Sequence, residues 1–429
     1  MNTISRRTFF QGAAAAASAM RVHGANDRIH VGLVGIGGRG TAHLNGYVGI
    51  PDALITGLCD VNQAARERAQ AKLSAAGSAK AKEYNDMQEM FADKSVDAVS
   101  IATPNHWHAL AMIRACQAGK DVYVEKPASY NIHESRRMVE VARQTKRMVQ
   151  VGSQSRSVPH VRRAMELLKE GAIGEVYAAK GLCFKRRKTI GKTPVEAVPP
   201  GLDWDKFLGP APMRPYTKNR FAYNWHWFWD TGNGDLGNQG VHQMDICRWG
   251  LGEVQMPRSA VSTGGKYVYD DDQETPNTQI ATYDYGSKEI IFEVRGLPTG
   301  PEAAAPLKAG DTVGNLFLGA NGWLWTGGGG FRVYKGESNE LAMEEKGSEK
   351  DNSTTLHMKN FLDACRSRDY KKLNAEIEIG TMSATLCHLA NISYRVGRKI
   401  QWDAARGRFA NDEQANALIT RDYRKPYVV

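Results

Sequence analysis

The chain of 429 residues is 42% hydrophobic and 24% charged, with 43 Gly and 16 Pro, a globular balance that excludes collagen-like, low-complexity and disordered classes. Its net charge of +10 is modest for the length and spread along the chain, so nucleic acid is not the default partner. Six cysteines, at positions 59, 116, 183, 247, 365 and 387, make no Cys-x-x-Cys pair and no Cys/His ligand spacing, and they read as small buried apolar residues rather than zinc ligands or a disulfide framework.

Residues 1–25 are read apart from the fold. Ser5-Arg6-Arg7-Thr8-Phe9-Phe10 precedes an alanine run at 13–17 and the small residues Gly24 and Ala25, the pattern of a cleaved twin-arginine export signal. The apolar stretch is far shorter than the roughly 20 residues a spanning helix needs, so no stable membrane insertion is expected. This export route carries folded proteins, so the reading predicts a periplasmic or otherwise exported protein that takes up a cofactor before it leaves the cytoplasm.

Residues 28–36 form a continuous apolar run of strand length that feeds a helix after Arg39. Strands at 53–60, 96–103, 121–125 and 148–151 then alternate with helices at 62–76, 106–118 and 132–145. The alternation predicts an α/β fold whose N-terminal part, residues 26–152, is a Rossmann doubly wound parallel sheet. Beyond it, a helix at 160–170 leads into alternating strands near 176–185, 260–267, 279–285 and 289–294, with others around Leu316 and Trp323. Two long helices at 353–368 and 375–395 follow, and residues 298–306 and 327–330 read as loops. Residues 153–429 are therefore expected to form a C-terminal α+β domain with a large, mostly antiparallel sheet, serving substrate binding and oligomerisation.

Gly35-Ile36-Gly37-Gly38-Arg39-Gly40 fits Gly-x-Gly-x-x-Gly at the first strand-to-helix junction, where bare backbone approaches a pyrophosphate and the helix N-terminus meets its charge. Asp60 ends the next strand, placed to accept both hydroxyls of an adenosine ribose. A carboxylate there repels a 2′-phosphate, so NAD is favoured over NADP, although Arg39 has the reach to meet such a phosphate. Thr103, Asn105 and His108 follow the next predicted sheet strand and Glu125-Lys126-Pro127 the one after it, at the rim where such sheets bind ligands; Gln154 is further polar lining beside the cofactor, and Gln239 and Arg156 are weaker lining candidates.

The Gly-rich turn, Thr103-Pro104-Asn105 and Glu125-Lys126-Pro127 together resemble the Gfo/Idh/MocA oxidoreductases in order and spacing. The resemblance implies a cis peptide before Pro127 and a Lys126 that reaches both nicotinamide ribose and substrate hydroxyl. Gly232 to Asp245 resembles the family's third motif, in which an aspartate is followed four residues later by a histidine at the sugar site. Here His242 matches the histidine, a candidate general base, and Asn238 replaces the aspartate. An amide cannot relay a proton but still binds sugar hydroxyls. Asp245 shares a helix face with His242 and is a candidate to orient it or to hold substrate.

Phe221, Tyr223, Trp225, Trp227, Phe228 and Trp229 form an aromatic block suited either to a pyranose face or to a core. His106 and His108 lack the acidic cluster that would complete a metal site, so no metal is expected. The expected chemistry is hydride transfer between a sugar or sugar-like polyol and NAD, catalysed by Lys126, His242, Asn238 and Asp245. Outside the cytoplasm the nucleotide has no pool to exchange with, so it is expected to stay bound and be recycled, either by sugar–sugar oxidoreduction or by glycoside cleavage through a transient 3-keto sugar. For the latter, Tyr177, Tyr216 and Tyr223 are available acids. A sugar-binding protein with structural NAD is a third reading, and the resemblance implies a homodimer or homotetramer.

Overall fold

The computed structural model describes residues 28–252, 255–297, 312–348 and 352–429. The export signal and the 298–306 loop of the sequence reading lie outside these residues. Strand β1 (Ile29–Val34) leads through α1 (Gly38–Val48) to β2 (Ala53–Cys59), α2 (Gln63–Ala75), β3 (Lys82–Tyr84) and α3 (Met87–Ala92). Then come β4 (Ala98–Ile101), α4 (Asn105–Gln117), β5 (Asp121–Val124), α5 (Ile132–Thr145) and β6 (Val149–Val151). The six strands form one parallel sheet in the order β3-β2-β1-β4-β5-β6. The order reverses at β1 and β4, opening a crevice at their carboxyl ends. β4, β5 and β6 are buried along their whole length, as strands covered on both faces must be. Local signals set the helix starts: the Asn62, Asp86 and Asn131 side chains accept the backbone N–H groups of Ala64, Gln88 and Glu134.

The second half opens with α6 (Pro159–Lys169), β7 (Val176–Phe184) and the short α7 (Trp204–Leu208). A single π-turn, Leu236–Gly240, runs directly into α8 (Val241–Leu251). Strands β8 (Ser259–Gly265), β9 (Thr278–Asp284), β10 (Glu289–Arg295), β11 (Thr312–Gly319), β12 (Gly322–Gly327), β13 (Gly330–Lys335) and β14 (Glu340–Lys346) follow. The described residues end with α9 (Ser353–Ser367), α10 (Ile377–Val396), β15 (Ile400–Asp403), β16 (Arg408–Phe409) and α11 (Glu413–Asn416). The ten strands form one sheet in the order β14-β13-β12-β11-β7-β10-β9-β8-β15-β16, antiparallel except where β10 runs parallel to β7. The α/β fold with a parallel first sheet and a mostly antiparallel second one is as the patterning predicts.

Three differences have physical causes. β3 carries the polar sequence Lys-Glu-Tyr and β14 is exposed throughout, so neither shows the alternation that marks a strand. Residues 327–330 are not an open loop but the tight link of the β12–β13 hairpin, with Gly327 paired to Gly330. Helix α9 leaves the second half and packs on the first sheet, where Met358, Phe361 and Leu362 join Leu44 and Tyr47 in one core. All six cysteines are buried and free, as their spacing suggests.

Candidate active site

A cleft of about 940 Å³ runs along the carboxyl ends of β1, β2, β4 and β5, and its far wall is built by the second half of the chain. Its floor is the Gly-rich turn. Gly35 turns with φ +78°, and a Cβ on Gly40 would lie 1.9 Å from the Gly35 carbonyl oxygen, so helix α1 can approach β1 this closely only because Gly40 has no side chain. A Cβ on Gly37 or Gly38 would meet nothing within 4 Å, so open space lies above them. Gly37 caps α1 with no side-chain acceptor, and no acid lies in the first turn. That leaves the helix N-terminus free to receive an anion. Thr103 Oγ1, on the cleft wall, is buried without a hydrogen-bond partner among the described residues. These features fit a dinucleotide pyrophosphate.

Asp60 lies in the cleft and is held to the turn: its Oδ2 accepts the Ile36 N–H (2.6 Å) and its Oδ1 the Asn62 N–H (2.8 Å). Each oxygen keeps a lone pair for a ribose hydroxyl. Arg39 does not reach out to a 2′-phosphate. Its Nε donates to Glu125 Oε1 (2.7 Å) and its Nη2 to Thr354 Oγ1 (3.3 Å), so the turn is tied to the end of β5.

Glu125 is 3% exposed and faces inward. Besides Arg39 it meets His43 Nε2 at 2.9 Å and accepts a bond from Gln154 Nε2 at 2.9 Å. Burial pushes its pKa up, but the Arg39 charge and the His43 contact overcome this and hold it well below the ordinary carboxylate value. Glu125 thus lines the cleft while bound to Arg39 and His43, and Gln154 braces it from outside the lining. His108 is similarly committed, with Nδ1 2.7 Å from the Pro127 carbonyl and Nε2 2.8 Å from that of Thr103. His106 faces the Phe207 and Thr231 carbonyls. Asn105 donates to Asn233 Oδ1 (3.0 Å), joining α4 to the Gly-rich loop before the π-turn.

Lys126 precedes a cis Pro127, the isomer the resemblance implies. Its Nζ donates to the main-chain carbonyl of Asn238 (2.7 Å), a residue of the π-turn. Burial lowers the Lys126 pKa, opposed by Glu125. His242 lies in the first turn of α8, half-buried, with its pKa lowered to about 3 by burial and then by the Lys126 charge. Its imidazole is therefore neutral at physiological pH.

Asp245 is directed away from this group. Its carboxylate takes the Arg156 Nε and Nη2 at 2.7 and 2.9 Å, together with the Ser383 hydroxyl at 2.7 Å. It joins α8 to α10 beneath the site, and Arg156, expected as lining, is its ion partner. Gln239 donates to Gln243 Oε1 at 3.3 Å. The Asn238 amide donates to Asp235 Oδ1 (3.2 Å) and to Tyr223 Oη (3.0 Å). Arg187 grips the Asp235 carboxylate with Nε and Nη2 at 3.1 and 2.7 Å.

The aromatic block divides. Trp227 and Phe228 are core, whereas Phe221, Tyr223, Trp225 and His226 line the cleft. Of the three candidate tyrosines, Tyr216 is buried against Trp204 and Tyr177 is exposed on β7 outside the cleft, leaving Tyr223. The sequence reading missed Asp235, Arg187 and Tyr427. Asp235 was within reach as the sole acid beside Asn238 in the Gly-rich loop, but nothing in Lys185-Arg186-Arg187-Lys188 marks Arg187 as the residue that pairs with Asp235.

Comparison with known proteins supplies the family. Residues 29–153 match the model described as an oxidoreductase family, NAD-binding Rossmann fold, and residues 164–304 and 321–429 match its C-terminal alpha/beta domain. A glycosyl hydrolase family 109 protein of Saccharopolyspora erythraea is 26% identical over 66% of this chain and 61% of its own length. A levoglucosan dehydrogenase of Pseudarthrobacter phenanthrenivorans is 25% identical over 68% of this chain and 65% of its own. The chain thus spans less than two thirds of either relative. The crystal structure of an aldose-aldose oxidoreductase from Caulobacter crescentus, complexed with glycerol, shares the fold with a TM-score of 0.66 at 16% identity, covering 87% of this chain and 99% of that one. The chain belongs to the Gfo/Idh/MocA oxidoreductase family and carries that family's NAD-binding Rossmann domain.

Proposed function

We propose that this protein is an exported, NAD-dependent sugar oxidoreductase that keeps its nucleotide bound and recycles it within the site. Bound NAD supplies the hydride acceptor and donor. Asp60, the Gly-rich turn and Thr103 hold it, and NAD rather than NADP suits the Asp60 carboxylate and an Arg39 committed to Glu125. His242, neutral, takes the hydroxyl proton of the substrate carbinol while the Lys126 ammonium stabilises the developing alkoxide. The aromatic rings of the cleft offer an apolar face to a pyranose.

One observation carries the retention. The cleft is strapped on its adenosine side by two segments of the second half. Gln63 N–H donates to the Gly201 carbonyl (2.9 Å), Asp203 N–H to that of Val61 (2.9 Å), and Lys206 lies 3.3 Å from Asp86. Over this strap lies a second segment, in which Arg424 pairs with Asp205 at 2.6 Å and Tyr427 packs edge-on against Trp107 at 5.3 Å. Lys206, Phe207, Pro426 and Tyr427 all line the cleft. A nucleotide beneath them leaves only if the strap opens. The strap would slow the release of a reduced nucleotide, which would then be reoxidised in place by a second sugar.

A second reading, redox-neutral glycoside cleavage, is favoured by Tyr223, a hydroxyl in the cleft wall able to serve a departing glycosidic oxygen. Native mass spectrometry of the protein purified from cytoplasm tests the main reading. The expected mass includes one NAD per chain, in a homodimer or homotetramer. Protein that carries no nucleotide and binds none when supplied refutes it. Aryl glycosides separate the two readings, since phenolate release without net NADH identifies cleavage. Cell fractionation with and without Arg6 and Arg7 tests the export.

A further inference from the structure

Asn238 departs from the family's aspartate, and the cleft wall gives a physical reason. Asn238, Asp235, Arg187 and Tyr223 close a ring of hydrogen bonds. The Asn238 amide donates to Asp235 and to Tyr223, and Arg187 donates to Asp235 through two nitrogens and to Tyr223 Oη through Nη1 at 3.3 Å. An aspartate at 238 would bring a second carboxylate to about the 3.2 Å at which the amide now meets Asp235. The neutral amide NH2 donates to both the carboxylate and the phenol, whereas an ionised carboxylate in its place has no N–H to donate.

The ring also fixes where the phenol proton goes. Tyr223 Oη already receives two N–H donors, one of them cationic, and no acceptor for its own O–H occurs among the described residues. Ala222, just before it, has φ +51°, a left-handed conformation costly for a residue with a Cβ. His226 packs on the phenol ring at 4.6 Å, and its Nδ1 lies 2.6 Å from the Tyr223 carbonyl. The side chain is thus held firmly while 52% exposed on the cleft wall. Asn238 links it to the reacting group, since its main-chain carbonyl accepts from Lys126 Nζ at 2.7 Å while its side-chain amide donates to Tyr223.

We propose that Tyr223 is a specificity-determining residue that donates its O–H to the substrate oxygen next to the carbinol held by Lys126. The inference rests on the sugar oxidoreductase reading. The donor demands an oxygen at that ring position and rejects a sugar lacking one. Two N–H donors on the phenol oxygen strengthen its O–H as a donor.

The test pairs Tyr223→Phe with substrates missing one oxygen. Nucleotide-loaded wild-type and variant proteins are mixed with glucose, galactose, mannose and their monodeoxy derivatives, and reduction of the bound nucleotide is followed at 340 nm. Nucleotide content is verified by native mass spectrometry. The variant is expected to lose roughly tenfold or more on the parent sugar. One monodeoxy sugar should lose as much on the wild type and nothing further on the variant. Losses that add for every derivative, or a variant within twofold of wild type, overturn the proposal. If no sugar reduces the wild-type nucleotide, the oxidoreductase reading fails by itself, and tryptophan fluorescence titrations with the same sugars decide. A tenfold weaker affinity in the variant keeps Tyr223 as the donor, whereas equal affinities, or no binding to either protein, reject it.

Discussion

Asp245→Asn separates a residue that acts on substrate from one that holds the site together. The Asp245 carboxylate is 1% exposed and carries both Arg156 contacts and the Ser383 hydroxyl. The substitution keeps shape and one carbonyl acceptor but leaves the Arg156 guanidinium, with only 10% side-chain exposure, without its counter-charge. Removing one partner of a buried pair costs about 3–5 kcal/mol, and the retained acceptor places this case near the lower end. A loss of ~3 kcal/mol raises the unfolding equilibrium constant on the order of a hundredfold. Burial pushes the Asp245 pKa up, and Arg156 and Ser383 outweigh it, holding the carboxyl below its ordinary 3.8. The contribution is complete above that pH and is lost as pH falls below it through the lowered folded value. Urea unfolding followed by tryptophan fluorescence, with turnover corrected for the folded fraction, measures both quantities. Stability within about 1 kcal/mol of wild type, combined with a hundredfold fall in corrected turnover, would refute the structural role and return Asp245 to the chemistry.

Gly40→Ala drives a Cβ into the Gly35 carbonyl, so the turn must open; the protein is expected to purify without NAD, and a normally loaded variant contradicts the reading of the turn. Lys126→Met removes the ammonium while sparing Asp60 and the glycines, so nucleotide content stays and its reduction by sugar falls a hundredfold or more; unchanged single-turnover reduction rules out the assigned role. Tyr427→Ala combined with Arg424→Ala loosens the second strap segment, and the rate of nucleotide loss on dialysis should rise at least tenfold, whereas an unchanged rate means the strap does not retain it. Burial lifts Glu134 from 4.5 to about 7 against the bonds it accepts from Tyr130 N–H and Tyr423, so between those values the folded protein holds a proton the unfolded chain has released. Stability therefore falls as pH rises through that window, by about 3 kcal/mol at most, and Glu134→Gln should flatten the slope of urea stability between pH 5 and 8.

The nucleotide half was legible because its signals are local. Gly35, Gly40 and Asp60 act through backbone shape and position at a strand end, and both are written in a few adjacent residues. The supporting charges were not legible. Glu125 and Asp245 have the chemistry of ligand contacts, and only the fold reveals that their ion partners come from distant segments: Arg39 lies 86 positions from Glu125 and Arg156 lies 89 from Asp245. Helical periodicity placed Asp245 on the His242 face, but a face is an arc, and Arg156 and Ser383 occupy its inner side. The strap escaped for the opposite reason: apart from the five-residue helix α7, residues 199–208 and 424–427 are irregular, and their role lies in what they cover.

The sealed thiols have a practical consequence. Cys59 and Cys116 lie in the core of the first sheet, while Cys247 and Cys387 lie in that of the second. Burial pushes Cys116 and Cys247 up to about 12 and raises Cys59 and Cys387 further, so none alkylates at neutral pH until its surroundings part. The protein therefore carries its own reporters of local opening. The order in which an alkylating reagent tags them under mild denaturant tells which half lets go first, and whether a bound dinucleotide delays that half alone or both together.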